Sequence, residues 1–324
     1  MINKVHFGKR ITSFRKSLNV TQDALAEKLG VTSQAVSKWE CGTALPELES
    51  LLQLSDLFHV SINDLLVGNN FFEKIVNSQY KMDEIAYFLP EHEHKENAEW
   101  TNSIVSEKRI ARNWDASIHH ANPVRSCIGR QIAERGGLIL EVGAGPGGGF
   151  MPYILHANPD AAIIINDLSP TVVREWKHLL DRKINSPNIH YAVFDFCDIP
   201  FTDNSIDVVS DGGGIGNAEG NIGNALKETY RVLKPGGILI TSTGFVTKET
   251  LAALPVNCQE VLKSKRPDIF DDLYEETILA GYHKINSIVS GGWSTNDDDS
   301  LIADLARELG INISFTSYVR FCEK

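Results

Sequence analysis

The sequence predicts an α/β protein in two parts, a small all-α domain followed by a larger, doubly wound α/β domain. Apolar residues recur at helical spacing through residues 4–67, in short stretches separated by capping residues. From residue 138 onward, apolar β-branched runs alternate with amphipathic helical stretches, which is typical of a parallel sheet covered by helices. A glycine-rich turn follows the first of these runs and predicts a close approach of the backbone to a ligand.

The length and composition fit two soluble globular domains. The chain has 324 residues, of which 42% are hydrophobic and 23% are charged. No apolar run is long enough to span a membrane, and the first residues lack a signal-peptide core, so we expect a cytoplasmic protein. The cysteines are scattered without a C-x-x-C pair, which favours buried thiols over disulfides, zinc or an arsenic site, and we predict no metal. They are Cys41, Cys127, Cys197, Cys258 and Cys322.

Residues 1–68 predict five short helices. Threonine N-caps and glycine stops delimit the second helix, 22–29, and the third, 33–41. Two helices joined by such a short turn are typical of a helix-turn-helix. A proline opens the fourth helix, and a serine caps the fifth, 62–67. The residues that begin or end helices are Thr21, Gly30, Thr32, Gly42, Pro46 and Ser61.

The stretch from Thr21 to Glu40 closely resembles the DNA-binding helix-turn-helix of the phage-repressor (XRE) family, and the resemblance covers residues 4–67. It implies double-stranded DNA as a partner, and a pair between Arg15 and Glu40 that ties the first helix to the third. Glutamine can bond to adenine, lysine can donate to guanine, and a helix start offers amides to phosphate. The alternatives are a DNA contact for Arg15 and a bundle that contacts protein. The implied DNA-contacting residues are Gln22, Ser33, Gln34, Ser37 and Lys38.

The distribution of charge agrees with a DNA-binding N-terminal domain. The formal net charge of the chain is −11, which taken alone argues against nucleic acid. Residues 1–68, however, carry seven Lys/Arg and seven Asp/Glu, so the whole excess of acid lies in residues 69–324. The first 22 residues hold five cations and no acid, which allows one electropositive face.

The turn after Leu138–Val142 is the most informative part of the larger domain. Glycines at 143, 145 and 148 match the G-x-G-x-x-G dinucleotide fingerprint, but this match alone is weak. Glu141 stands two residues before Gly143, where an acid can meet a cationic amino group rather than a pyrophosphate. A nicotinamide-binding redox domain is therefore the weaker alternative.

Three further apolar runs each lead to an aspartate, namely Asp167, Asp195 and Asp211. The carboxyl ends of the strands form the ligand-binding edge of a doubly wound sheet, so these acids should lie together. An acid at the end of the second strand is placed to accept hydrogen bonds from ribose hydroxyls. We predict strands over 138–142, 161–165, 189–194, 206–210, 238–242 and 313–321, a helix over 224–233 and a turn over 234–237.

Taken in order, these motifs resemble a class I S-adenosylmethionine-dependent methyltransferase, with a Rossmann-like fold, over about residues 100–324. The resemblance implies that Glu141 approaches the methionine amino end, Asp167 binds the ribose, and Asp195 and Phe196 hold the adenine. It also implies that Asp211 lies near the methionine moiety and that the last strand is antiparallel. The implied cofactor-binding residues are Glu141, Gly143, Ala144, Gly145, Gly147, Asp167, Leu168, Asp195, Phe196, Asp211 and Trp114.

Residues 69–99 predict a helical connector, and residues 100–134 predict one helix. A solvated charge run explains His92 and His94 in the connector better than a metal site does. The resemblance makes Trp114 and Asp115 candidates for a lid over the cofactor, with an ordinary buried tryptophan as the equal alternative. His119 and His120 favour packing or solvent over catalysis.

The C-terminal third offers fewer signals. The resemblance implies that residues 247–280 shape the acceptor pocket. Trp293 and the acids at 297–299 are predicted to begin the last crossover, which a helix over 300–309 follows.

The leading hypothesis is a DNA-binding homodimer that transfers a methyl group from S-adenosylmethionine to a small-molecule or peptide acceptor, with a link to transcriptional regulation through the fusion. The alternative is a regulator whose methyltransferase-like domain senses S-adenosylmethionine or another ligand without turnover. No clear general base is visible, and Asp211 is the weak catalytic candidate. The acidic larger domain, and the sequence Asp211–Gly214 where nucleic-acid amino-methylases carry Asn/Asp-Pro-Pro-Tyr/Phe, disfavour a nucleic-acid acceptor.

Overall fold

A helical region and an α/β region make up the described chain, which confirms the predicted fold class. The computed structural model describes residues 4–18, 20–58, 62–66, 85–89, 105–184, 186–218, 221–297 and 301–324. Within these ranges, no helix has both the length and the apolarity that crossing a membrane requires.

The described residues between 4 and 66 form five helices. The predicted caps of the second and third helices are confirmed, because Thr21 accepts a hydrogen bond from the Ala24 amide and Thr32 accepts one from the Ala35 amide. The fourth helix begins at Leu48, slightly later than the proline predicted, and Ser61 lies outside the described residues. The helices are α1 Lys4–Ser17, α2 Gln22–Leu29, α3 Ser33–Glu40, α4 Leu48–Phe58 and α5 Ile62–Leu66.

These helices share one apolar core, built from the residues that recur at helical spacing. Phe7 from α1, Leu25 from α2 and Val36 from α3 are fully buried in it. Helices this short are marginal in isolation, so their stability comes from this common core. The side of α3 opposite Val36 therefore remains at the surface.

The α/β region is an eight-stranded sheet with helices on both faces among the described residues. Its strands are β1 Ala86–Tyr87, β2 Ile139–Val142, β3 Ile163–Asp167, β4 Ile189–Val193, β5 Ile206–Asp211, β6 Leu233–Phe245, β7 His283–Ser294 and β8 Ser314–Glu323. Its helices are α6 Glu107–Ile118, α7 Pro123–Arg135, α8 Met151–Ala157, α9 Pro170–Lys183, α10 Ile222–Val232, α11 Lys248–Ala252, α12 Val256–Lys265, α13 Tyr274–Leu279 and α14 Leu301–Leu309.

The strand order is β1-β4-β3-β2-β5-β6-β8-β7. The central strand β2 pairs in parallel with β3 on one side and with β5 on the other, so the chain changes direction across the sheet at β2. In open α/β sheets a ligand cleft forms outside the carboxyl ends of the strands at this switch point. The last strand, β8, is antiparallel to β6 and to β7, as predicted.

Alternating side chains of the strands supply two hydrophobic layers. Ile163 and Ile165 of β3 contribute to the layer that α6 to α9 cover. Ile164 contributes to the opposite layer, which includes Leu226 of α10. The inner strands are therefore apolar on both faces, which explains why they appear in the sequence as continuous rather than alternating apolar runs.

The prediction of one helix over 100–134 is wrong. Helix α6 ends at Ile118, His120 has a φ of 52°, and α7 begins at Pro123. Proline lacks a backbone N–H and disfavours helical conformation in the residue before it, so a helix can begin at Pro123 but cannot run through it. Residues 100–104 lie outside the described chain.

Residues 86 and 87 form a strand where a helical connector was predicted. This strand, β1, pairs in parallel with β4, and the Phe88 amide extends the pairing by donating to the Val193 carbonyl. The sheet therefore begins before residue 100. Apart from residues 85–89, the predicted connector lies outside the described residues, and so do His92 and His94.

The predicted turn over 234–237 lies inside a strand. β6 begins at Leu233, and its register against β5 shifts between Ile206 and Val208. The inserted residues form an irregularity in which Gly236 has a φ of 74°. The four residues therefore interrupt the pairing without ending the strand.

Trp293 lies in β7, not in the last crossover as predicted. This strand was not predicted, because Asn286, Gly291 and Gly292 are of residue types that are depleted in strands. Asp298 and Asp299 lie outside the described residues.

Candidate functional site

The loop between β2 and α8 lies beside the loop after β5 at the carboxyl ends of these strands, where a doubly wound sheet is expected to form its ligand cleft. Gly143, Gly145, Gly148 and Gly149 all have positive φ values, from 55° to 72°, a conformation that other residues adopt at a cost. A Cβ on Gly149 would lie 1.7 Å from the Glu141 carboxylate. Glycine is therefore required here by close approach as well as by backbone conformation.

Glu141 lies beneath this loop and is fully buried. Its Oε1 accepts a hydrogen bond of 3.1 Å from the Phe150 amide at the start of α8, and its Oε2 accepts one from the Ser210 hydroxyl of β5. The carboxylate thus joins the loop to the two strands at the switch point. The family resemblance implies that Glu141 approaches the methionine amino end, and the structure shows that Glu141 holds the glycine loop.

Burial raises the pKa of Glu141 to about 8. The bonds from Ser210 and the Phe150 amide lower this pKa, nearby Asp211 raises it, and the Arg125 guanidinium lowers it. This raised pKa favours the neutral acid at neutral pH, and a cationic group brought near it would favour the ionised form instead. The carboxyl group is therefore suited to a positively charged ligand.

Asp167 ends β3 at the rim of the cleft. Its Oδ2 accepts a hydrogen bond of 2.8 Å from the Gly145 amide, and its Oδ1 accepts one of 2.8 Å from the Ser169 amide. Burial raises its pKa, although these backbone bonds favour the charged form. Asp167 therefore links the glycine loop to the loop after β3 through these backbone bonds.

Asn166 is a site residue that the sequence analysis missed. It is fully buried, and its side chain donates to the Phe194 carbonyl at 2.9 Å while accepting from the Gly143 amide at 3.4 Å. It thereby holds the ends of three neighbouring strands in register. The sequence did contain a signal for this role, because a polar residue at the end of an apolar strand is expected to be buried and to need hydrogen-bond partners.

The other predicted cofactor residues lie in the loops around this cleft. Asp195 follows β4 and accepts a hydrogen bond of 2.9 Å from the Cys197 amide. Phe196 is half-buried, and its ring lies 3.4 Å from the position that a Cβ on Gly143 would occupy. Ala144 and Leu168 flank the same space, the first buried and the second half-buried. Gly147 is exposed at the tip of the glycine loop.

Asp211 anchors the loop after β5. Its Oδ1 accepts hydrogen bonds from the amides of Gly213, Gly214 and Ile215, and its Oδ2 accepts one of 2.6 Å from the Thr241 hydroxyl. The side chain is fully buried. This geometry favours a loop anchor over the general base that the sequence suggested.

Arg125 of α7 bridges the two loops of the cleft, and the sequence analysis missed it. Its NH1 donates to the Gly149 carbonyl and its NH2 donates to the Gly212 carbonyl, both at 3.2 Å. The guanidinium also lies over the Phe150 ring, 5.2 Å from its centroid. These contacts place a positive charge beside the two loops and tie the loops to each other.

The lid candidates lie on α6. Trp114 is buried in the core beneath the glycine loop, whereas Asp115, His119 and His120 are exposed. Their neighbour Asn113 donates a hydrogen bond of 2.8 Å to the Pro146 carbonyl of the loop. Helix α6 therefore contacts the loop through Asn113, a residue that the sequence analysis did not select.

Helix α3 presents a polar surface opposite the core. Gln34 and Lys38 are exposed, Ser33 and Ser37 are half-exposed, and Trp39 is buried on the other side. Each of these polar side chains retains donors or acceptors for base edges and phosphates.

Arg15 ties α1 to α3, as predicted. Its Nε and NH2 donate to the two carboxylate oxygens of Glu40 at 2.6 and 3.0 Å. Gln22, predicted to contact a phosphate, donates from its amide nitrogen to Glu40 at 2.6 Å. Although burial raises the pKa of Glu40, the bonds from Arg15 and Gln22 outweigh that effect and hold the pKa below its ordinary value.

Family models match both regions of the chain. A helix-turn-helix model matches residues 11–65, which contain α2 and α3. A methyltransferase-domain model matches residues 140–241, which run from β2 through the glycine loop to β6.

Several curated proteins are similar to one region or the other. The transcriptional activator BcrR of Enterococcus faecalis is 42% identical over 64 residues, which are 20% of this chain and 31% of BcrR. The prophage-derived regulator YonR of Bacillus subtilis is 37% identical over 79 residues, 24% of this chain and 67% of YonR. The ubiquinone/menaquinone biosynthesis C-methyltransferase UbiE of Dinoroseobacter shibae is 32% identical over 102 residues, 32% of this chain and 40% of UbiE. The chain thus spans less than half the length of BcrR and UbiE.

Together these matches describe a helix-turn-helix domain followed by a methyltransferase domain. The chain belongs to the helix-turn-helix regulators represented by YonR, and residues 140–241 match the methyltransferase-domain model in addition.

Proposed function

We propose that the α/β domain binds S-adenosylmethionine and transfers its methyl group to a small-molecule or peptide acceptor, and that the helical domain binds DNA. The observation that carries the first part is the glycine loop closed over the buried Glu141 carboxyl at the switch point of the sheet. The donor set fits this ligand, with Glu141 for a cationic amino end, Asp167 for a diol and Phe196 for a flat ring. When bound, S-adenosylmethionine supplies a methyl group on a sulfonium.

The protein's own contribution to this reaction is positioning. Displacement at a methyl group needs aligned reactants in a dry site, and a fixed cleft can supply that alignment. Arg125 and Asp211 fix the loops on either side of the cleft, and Asp167 fixes the glycine loop. We infer that Arg125 and Asp211 act mainly by holding the site rigid, and that Asp167 does so in addition to binding the ribose.

Replacement of Asp167 by alanine is expected to weaken binding of S-adenosylmethionine. The change removes charge-assisted bonds to the ribose and the bond to the Gly145 amide, which together should cost roughly 1.5–3 kcal/mol, or about 10- to 160-fold in Kd. Calorimetric titration of the full chain measures this. Asp198→Ala, which removes an exposed acid from the adjacent loop, is the matched control and should bind like wild type. Unchanged affinity in Asp167→Ala would refute the placement of the ribose.

For the helical domain we propose that two copies of the chain bind a palindromic operator. One helix-turn-helix covers few base pairs, so useful affinity requires two, with half-sites about one turn of DNA (roughly 34 Å) apart. The exposed side of α3, with Gln34 and Lys38, would read the bases, together with Ser33 and Ser37. Arg15 is committed to Glu40, which supports its structural assignment.

Selection from random duplex DNA should return an enriched palindrome, and Gln34→Ala should relax the preference at one base pair of each half-site. A lost bidentate contact is worth about 1–3 kcal/mol, or roughly 5- to 160-fold against the best base. Glu27→Ala, an exposed change on α2, is the control for nonspecific effects. An unchanged motif in Gln34→Ala, or no enrichment with wild type, would contradict the assignment.

A second candidate function, ligand-dependent regulation, is favoured by one contact in the helical domain. Arg10 of α1 is nearly buried and donates to the carbonyls of Leu65 and Leu66 at 2.9 and 2.8 Å, at the end of α5. Leu66 directly precedes the segment that leads to the α/β domain. Because α1 also holds α3 through Arg15, a displacement at residue 66 has a route to the DNA-reading helix.

If the two domains are coupled, saturating cofactor or its demethylated product should change operator affinity by about 5- to 150-fold, and DNA should change cofactor affinity by the same factor. Fluorescence anisotropy on labelled operator, with and without ligand, measures the first half of this cycle. Arg10→Lys keeps the charge but loses one of the two bonds, and it should reduce the coupling. Identical operator affinity in every ligand state would mean two independent functions on one chain.

A further inference from the structure

An exposed aromatic pair lies on the sheet beyond the cofactor cleft. Tyr318 of β8 is the register partner of Thr243 in β6 and of Val289 in β7, so the three side chains form one row on one face. Phe245, two residues further along β6, stacks on Tyr318 with ring centroids 5.3 Å apart and planes inclined by 20°. Val289 is 60% exposed and both rings are half-exposed. We call Phe245, Tyr318 and Val289 the aromatic face.

The aromatic face continues directly from the loop that follows β5. Thr241 donates to the Asp211 carboxylate, which anchors that loop. The Thr243 hydroxyl lies 3.6 Å from the position that a Cβ on Gly216 would occupy, in the short helical turn at the end of the same loop. Two residues of a strand span about 7 Å, so Phe245 is about 7 Å beyond this contact along β6. That distance matches the length of a one- or two-ring aromatic compound.

The charges beside the aromatic face are paired. Arg320 is buried, donates to the Asp272 carboxylate at 2.6 Å and to the Ser287 hydroxyl at 3.2 Å, and lies over the Tyr274 ring. The Asp272 carboxylate therefore neutralises the Arg320 charge, which leaves this guanidinium poorly suited to bind an anionic ligand. The remaining surface offers flat carbon rings and hydroxyl groups. Such a surface binds a planar apolar ring that carries a polar substituent.

We propose that the aromatic face is the acceptor subsite, and that the acceptor is a small planar aromatic compound stacked against Phe245 and Tyr318. This inference rests on the proposed methyltransferase function. The threonine hydroxyl at 243 would face the polar substituent of the ring, on the side of the cleft. A second copy of this chain laid against the edge strand β7 would compete for the same surface.

The test uses 2-naphthol as a planar probe and decahydro-2-naphthol as a saturated probe of the same outline. Both are titrated into the full chain at saturating S-adenosylhomocysteine, and binding is measured by calorimetry. Wild type should bind 2-naphthol at least ten-fold more tightly than the saturated probe, since only a flat ring can stack. Phe245→Ala should weaken the binding of 2-naphthol by about ten-fold, and Phe245→Trp should restore that binding. S-adenosylhomocysteine affinity should stay within about two-fold of wild type in each variant, because the face lies outside the cofactor cleft.

Val289→Lys is a second variant that leaves the rings in place and covers the face with a long side chain. Val289 is exposed, so folding should tolerate the change, and 2-naphthol should again bind about ten-fold more weakly. Val256→Ala, at an exposed site on α12, is the control and should bind like wild type.

Three results would overturn the inference. The first is equal binding of the planar and saturated probes, and the second is unchanged 2-naphthol binding in both Phe245→Ala and Val289→Lys. The third is a variant that dissociates a dimer in sedimentation while 2-naphthol binding is unaffected, which would make the face a subunit interface. A wild-type chain that binds no S-adenosylhomocysteine would instead refute the proposed function itself, so the two failures are distinguishable.

Discussion

Gly149→Ala is expected to remove nearly all cofactor binding. The new Cβ would lie 1.7 Å from Glu141 Oε1 and 2.8 Å from its carboxyl carbon, and the backbone φ of 56° disfavours alanine. Glu141 cannot move aside, because the Phe150 amide and the Ser210 hydroxyl hold its two oxygens. The unfavourable backbone costs about 1–2 kcal/mol and the overpacking about 1–3 kcal/mol. Displacement of the loop should therefore weaken the binding of S-adenosylmethionine by about 30-fold to several thousand-fold.

Gly223→Ala is the matched control for this change. It is the same substitution at a glycine of α10 whose added Cβ meets no heavy atom within 4 Å. This variant should bind S-adenosylmethionine like wild type and melt at an equal or higher temperature, since alanine favours a helix. If Gly149→Ala bound the cofactor as well as Gly223→Ala does, the glycine loop would not be the cofactor site.

Glu40→Ala is expected to have the largest effect on the helical domain. It leaves the Arg15 guanidinium, whose side chain is 12% exposed, without its carboxylate. Removal of one partner of a buried ion pair costs about 3–5 kcal/mol, and we expect about 3 because Arg15 keeps its bond to the Val20 carbonyl. Hydrogen exchange of the amides in α3, measured by mass spectrometry, should accelerate by roughly 100-fold. Equal protection in Glu40→Ala and wild type would show that the pair does not hold α3.

The same pair predicts the acid response of the helical domain. The folded-state pKa of Glu40 is lowered, so its stabilisation is fully present above the unfolded-state pKa and is lost as the pH falls through the folded-state value. Protection of α3 should therefore decline in acid in the wild-type chain. In Glu40→Gln, which cannot titrate at this position, that part of the decline should be absent.

The local signals in the sequence were sufficient for the helical domain. Thr21 and Thr32 each cap a helix through a bond to an amide three residues away, so a short stretch of sequence contains the whole interaction. The Arg15–Glu40 pair spans 25 residues and was predictable only through the family resemblance. The hydrogen bond from Gln22 to Glu40 was not predictable, because it depends on where the Arg15–Glu40 pair places the Glu40 carboxylate.

In the α/β domain, the sequence located the strand ends but not the contacts that hold them. Asp167 and Asp211 were expected to face a ligand, yet Asp167 accepts from the amides of two different loops and Asp211 accepts from the amides of its own loop. Arg125 comes from α7, far along the chain from the Gly212 carbonyl that it contacts. A periodic sequence pattern cannot predict such a long-range contact. Pro123, by contrast, was a local signal for the break between α6 and α7.

The measurement that tests the central claim most directly is calorimetric titration of the full chain with S-adenosylmethionine and, separately, with NADH. If the glycine loop with Glu141 and Asp167 is a methyltransferase cofactor site, S-adenosylmethionine binds at one site per chain and NADH does not bind. Binding of NADH without S-adenosylmethionine would contradict the account and would assign the glycine loop to a dinucleotide.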